Sequence, residues 1–343
     1  MSSLLTVIIP YRDRKDNLKV LADNVKNVDK QKVEFLLVSL GDKDKEAKEL
    51  CESAGIRYHY VDHTKTFSIA KALNTGAKLS TSAYIMKHDV DSLPQPNYYP
   101  TLIEYIENTL VNDINKFAMV PVLFANEEMS SNSLSGELTT ETYATLKDLI
   151  IKKDPNATES TQLPERNAFG SLFVVNRQHY IDKVIPWIKD FKGWGYEDLM
   201  ITYVLESNLN DKFEEQLAQH PKYASDERFY TNVLMNLVGA YNKVMLNHDI
   251  ALVHRWHETT ARFGKDDYYN SGAPGGGNEK QLYAAIAAYK KKFNKEQKPA
   301  PGKQQMTQAD LAEIRKRNEG KKIVFCLPGN GFSGGFLQAW TNL

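Results

Sequence analysis

The first 91 residues alternate between two hydrophobic periods. "LLTVIIP", "VEFLLVSL", "IRYHYVDH" and "AYIMKHDVD" are short runs rich in β-branched and aromatic residues. The segments between them, "KDNLKVLADNVKNV", "DKDKEAKELCESAG" and "FSIAKALNTGAKLS", carry apolar residues at helical spacing. Near-continuous apolar runs mark strands buried on both faces. Strand-helix alternation then predicts an α/β fold with a doubly wound, mainly parallel sheet, whose ligands sit at the carboxyl ends of the strands.

The pattern continues with a helix in "YYPTLIEYIENTLVN", a strand in "KFAMVPVLFA" and a polar, Ser/Thr-rich excursion over 126–166. "AFGSLFVVNRQHYIDKV" reads as strand then helix, "GWGYEDLMITYVLES" as a glycine-rich loop entering a helix, and "IALVHRWHE" as a strand running into a turn. After the break "GAPGGGN" comes a basic helix, "EKQLYAAIAAYKKKFNKEQ", then a linker and a further helix near 307–320. The expected organisation is a main domain over 1–275, a helical extension and linker over 276–320, and the start of a second domain over 321–343.

Lys plus Arg and Asp plus Glu number 43 each, so no overall field favours nucleic acid or an anionic membrane. No run is apolar for long enough to be a signal peptide or a membrane span. Cys51 and Cys326 offer no disulfide framework. These features predict a cytoplasmic protein without nucleic-acid or membrane partners. Gly329, Gly331 and Gly334 match a dinucleotide fingerprint, but the acidic partner about 20 residues further on is missing. A tight turn explains them.

Asp89 and Asp91 in "HDVD" stand at the end of a predicted strand, where two like charges repel unless a cation joins them. Hard carboxylate oxygens suit a divalent ion bridging the phosphates of a nucleotide-sugar. His254 and His257 in "HRWH" share one side only if the backbone turns there, so the strand should end near 254. With Asp91 they form a three-ligand set that leaves open positions. In "GWGYED", Trp194 offers an apolar face for a pyranose, and Glu197 and Asp198 open a helix whose dipole favours anionic carboxylates. Arg12 and Arg14 in "YRDR" follow the first strand, where a guanidinium fork can grip a diphosphate. Each motif has an ordinary alternative: a capped strand end, two surface histidines, a helix N-cap, a solvated helix entry.

Taken in order, "TVIIPYRDRKDNL", "TFSIAKALNTGAK", "YIMKHDVDSLP", "AFGSLFVVNRQHY", "GWGYEDLM" and "HRWHE" resemble the β-1,4-galactosyltransferase family, with kinship to chondroitin-polymerase-type transferases. The resemblance spans roughly residues 5 to 265. It implies a GT-A fold, a UDP-sugar donor, Mn²⁺ with Mg²⁺ as the alternative, and inversion at the anomeric carbon. It also implies a nucleotide site of Pro10, Arg12, Arg14, Phe67, Lys71, Asp89, Asp91, Gly170 and Trp194, and a metal held by Asp91, His254 and His257. Glu197 would bind the acceptor and Asp198 would be the base. His254 stands where the family has methionine, Tyr196 and Ser171 where it has glycines, and Ala168 where it has a bulkier residue. The extra room at Ala168 suggests tolerance of an N-acetyl group on the donor.

The expected activity is transfer of a hexose or N-acetylhexosamine from UDP to a hydroxyl of a saccharide or glycoconjugate, with a second glycosyltransferase domain beyond residue 343. The alternatives are a sugar nucleotidyltransferase, disfavoured by the missing glycine-rich N-terminal loop with a lysine, and a non-catalytic saccharide-binding or scaffold module of a larger polymerase.

Overall fold

The computed structural model describes residues 3–41, 43–63, 66–152, 168–193, 195–220, 222–223, 228–257 and 277–296. The chain divides into two compact units, Met1–Ile286 and Ala287–Leu343. Within the second unit the described residues are the end of one helix, where the rings of Tyr289 and Phe293 stack 4.6 Å apart. The expected helix near 307–320 and the expected domain start over 321–343 lie outside the described residues.

The first unit is built on a mixed, mainly parallel sheet of six strands flanked by helices. β1 (Leu5–Tyr11), β2 (Val33–Gly41), β3 (Arg57–Asp62) and β4 (Tyr84–Lys87) are all parallel and lie in the order β3-β2-β1-β4. All seven residues of β1 are buried, as a central strand covered on both faces requires. The crossovers are α1 (Lys15–Val25), α2 (Lys45–Ser53) and α3 (Ile69–Leu79). Ser68 caps α3 by accepting the Lys71 N–H, and Asp44 caps α2 in the same way through the Ala47 N–H. Gly55, just past α2, takes the left-handed conformation that ends a helix.

Three expectations change. The strand read through Asp91 ends at Lys87: the Ser92 N–H donates to the Asp89 carbonyl, so both aspartates lie in a turn, followed by β5 (Ser92–Pro94). The run "KFAMVPVLFA" is two strands, β6 (Phe117–Val120) and β7 (Val122–Phe124), split at Pro121, which has no N–H for a ladder. The excursion after residue 126 contains two helices, α4 (Glu127–Ser133) and α5 (Thr140–Lys152), and α5 buries Tyr143, Leu146 and Ile150.

β8 (Leu172–Asn176) runs antiparallel between β4 and β6 and completes the large sheet. A second sheet is small, ordered β5-β9-β7, with β9 spanning Leu252–His254. Its register sets Ser92 opposite His254 and Phe124 beside His254. This pairing joins two stretches 162 residues apart in the chain.

Candidate active site

The small sheet places the histidines. With Ser92 paired to His254, the preceding Asp91 lies against the end of β9, and the Arg255 N–H donates to the Asp91 carbonyl at 2.8 Å. β9 ends at His254, and the chain then turns so that His257 comes back to the same carboxylate. His257 Nε2 is 3.1 Å from Asp91 Oδ2, and His254 Nε2 is 3.7 Å from Oδ1. One ligand atom from each of the three residues falls within 4.8 Å of the others. A carboxylate with two imidazoles is a donor set that suits Mn²⁺ or a similar ion. Burial lowers the His254 pKa, against the pull of Asp91, and so favours the neutral imidazole that ligation needs.

Arg14 completes the cluster, with Nη1 donating to Asp91 Oδ2 at 2.9 Å. Burial alone would raise the Asp91 pKa; His254, the hydrogen bond from His257 and Arg14 outweigh it and hold the carboxyl well below the usual range. Asp89, two residues earlier, sits apart, half-buried and 3.8 Å from Lys87 Nζ.

The second carboxylate group sits on helix α6 (Glu197–Leu209). Its approach is tightly wound: Gly193, Gly195 and Tyr196 all have left-handed φ, at 70°, 86° and 70°. Glycine takes this conformation freely, and at Tyr196 it costs about 1–2 kcal/mol. The tyrosine hydroxyl accepts from Arg228, which itself pairs with Glu279 at 2.9 Å. Asn278 donates to the carbonyls of Lys192 and Gly195, on both sides of the loop tip. Trp194 lies outside the described residues.

On that frame Asp198 Oδ2 accepts the Ser171 hydroxyl at 2.6 Å, and Oδ1 accepts the Leu199 N–H. Glu197 is buried; among the described residues its Oε2 has no hydrogen-bond partner, and burial, with Asp198 close by, pushes its pKa up to about 8. At neutral pH it therefore carries a proton and can donate one hydrogen bond.

Lys87 was not among the residues singled out in the sequence. It is buried at the end of β4. Burial alone would favour the neutral amine, but the charges of Asp89, Glu197, Asp198 and Asp91 outweigh it and raise the pKa. One buried cation thus lies within the fields of both carboxylate groups. A lysine inside the apolar run "YIMKHD" is the signal that could have found it, since lysine is almost never buried without partners.

The model for the family described as glycosyltransferase like family 2 matches residues 6–227. The chain belongs to that family. The β-1,4-galactosyltransferase resemblance therefore holds at the level of a glycosyltransferase and not of that narrower family. No curated protein sequence matches the chain. Among solved structures, it is similar to glucosyl-3-phosphoglycerate synthase from Mycobacterium tuberculosis in complex with phosphoglyceric acid, at 12% identity and a TM-score of 0.40, covering 83% of this chain and 79% of that one. The same synthase with Mn²⁺, UDP-glucose and phosphoglyceric acid gives 12% identity and a TM-score of 0.39, with the same coverage. Likeness at this level carries no residue or ligand correspondence.

In this glycosyltransferase the remaining predicted positions have structural duties of their own. Pro10 is buried near the carboxyl end of β1. Asp13, with φ of 53°, separates the two arginines. Arg12 donates to the carbonyls of Leu40 and His63, each at 2.6 Å, and lies over the Phe67 ring, so it ties the ends of β2 and β3 to the start of α3. Lys71 Nζ is 3.0 Å from His63 Nδ1. A Cβ on Gly170 would come within 2.8 Å of the Val120 carbonyl, and Asn242 holds both backbone groups of Gly170. Ala168 is buried and bridges Leu123. No described helix is long and apolar enough to cross a membrane.

Proposed function

We propose that this glycosyltransferase is metal-dependent and inverting, and moves a hexose or N-acetylhexosamine from a UDP-sugar to a saccharide hydroxyl. The observation that carries the reading is the convergence of Asp91, His254 and His257 on one point, with Lys87 linking their field to that of Glu197 and Asp198. When bound there, a divalent ion supplies Lewis acidity toward the departing diphosphate. Arg14, already on Asp91, adds positive charge at the same place.

Asp198 takes the proton of the acceptor hydroxyl, and the oxygen forms its bond to the anomeric carbon as the bond to the UDP oxygen breaks with its electron pair. Ser171 fixes the rotamer of Asp198 by donating to Oδ2. Protonated Glu197 donates a hydrogen bond to the acceptor and keeps a second negative charge away from the base. Arg12 and Phe67 shape the nucleotide end through the frame they already build. The small Ala168 leaves room for an N-acetyl group on the donor.

A panel of UDP-sugars with Mn²⁺, with and without saccharide acceptors, tests this through UDP release and the anomeric configuration of the product. Metal-dependent release with an inverted product is expected. Retention of configuration, or no release from any UDP-sugar, contradicts it.

A further inference from the structure

A cleft of about 640 Å³ opens between α3 and the segment that leads into the wound loop before Glu197. Lys71 and Lys78, seven residues apart on one face of α3, line one wall, and Lys189 and Lys192 line the other. Among the described residues no carboxylate lines it. Some surface lysines elsewhere on this electrically neutral chain stand beside acids, as in Lys15–Glu46, Lys45–Glu49 and Lys48–Glu52. Lys78, Lys189 and Lys192 have no such partner among the described residues, and Lys71 faces only the His63 imidazole. Four like charges around one hollow repel one another and focus a positive potential into it.

The two walls are fixed to each other. Ser68 Oγ donates to the Phe191 carbonyl at 3.0 Å, and the Gly193 N–H donates to the Phe67 carbonyl at 2.9 Å. Lys192 is six residues before Asp198, a separation of at most roughly 20 Å along the chain. An acceptor of a few sugar units can therefore reach both places at once.

We propose that this cleft holds the negatively charged part of an anionic saccharide acceptor, carboxylate- or phosphate-bearing, while its reactive hydroxyl lies at Asp198. The inference rests on the glycosyltransferase reading above and names its acceptor class. The diphosphate of the donor has its own site at Asp91 and Arg14, so Lys78, Lys189 and Lys192 serve the other substrate.

The test compares wild-type protein with the triple variant Lys78→Gln, Lys189→Gln, Lys192→Gln. All three side chains are exposed, so the fold should tolerate the change. Direct binding is read by calorimetry, without donor, for a hexuronate-containing tetrasaccharide, for the same tetrasaccharide with its carboxylates reduced to alcohols, and for a phosphorylated tetrasaccharide. Wild type should bind at least one charged form about 10-fold or more tightly than the reduced form, with an affinity that falls as salt is raised. The variant should lose that preference and keep its UDP affinity. Equal binding of charged and reduced forms by wild type, an undiminished preference in the variant, or equally tight binding of a single-stranded oligonucleotide would overturn the proposal. Because the readout needs no turnover, a failure of sugar transfer would sink the enzymatic reading and leave this result legible on its own.

Discussion

The two halves of the site are built on opposite principles. The Asp91 half brings together Asp91 and a histidine pair that begins 163 residues later, held by strand register, and its carboxylate is surrounded by positive or positively chargeable groups. The Glu197–Asp198 half is local, set by a wound loop and the first turn of one helix, and it crowds two carboxyls around a single lysine. The first arrangement keeps a carboxylate available to a cation. The second gives two adjacent acids different surroundings: burial penalises the charge on Glu197, while Asp198 accepts from Ser171 and a backbone N–H.

Substitutions should separate the halves. The largest effect is expected from Asp198→Asn, which removes the proposed base and should lower kcat by about 10³-fold, within the range for general bases, while UDP affinity measured by calorimetry stays unchanged. Lys87→Met leaves buried carboxyls without their cation and should cost roughly 3 kcal/mol in denaturant unfolding. It should impair turnover more than Mn²⁺ binding; equal losses of both would show that the halves are one unit.

A smaller effect follows from Glu197. Its pKa is raised in the fold, so the folded state holds a proton that the unfolded chain releases at ordinary acidic pH. The stability this contributes is fully present below about 4.5 and is lost as pH rises through about 8, with a slope of at most about 1.4 kcal/mol per pH unit. Glu197→Gln should flatten that slope in unfolding curves taken from pH 5 to 9. An unchanged slope would place the proton on another group.

Much of this was readable from the chain. The alternating periods of residues 4–91 led to the parallel sheet, and the turn required by His254 and His257 is present where β9 ends. Register was not readable: nothing local says that Ser92 pairs with His254, since strand partners far apart in sequence are chosen by the whole fold. Pro121 could have marked a break in its strand, by the donor it lacks, and Asn126 followed by two glutamates could have marked the start of α4, but neither was read so. Ser171 and Tyr196 were visible only as departures from a family pattern. Their roles, a hydroxyl on Asp198 and a left-handed residue braced by Arg228, needed three dimensions.

The central claim is that Asp91, His254 and His257 hold a divalent cation that UDP needs. Calorimetric titration of Mn²⁺ and UDP into wild type and into the His254→Ala, His257→Ala double variant tests it most directly. UDP affinity should rise with Mn²⁺ in wild type, and that metal-dependent gain should fall at least about 100-fold in the variant, since loss of mere outer-shell partners already costs 10–100-fold. The same gain in both proteins would contradict the account.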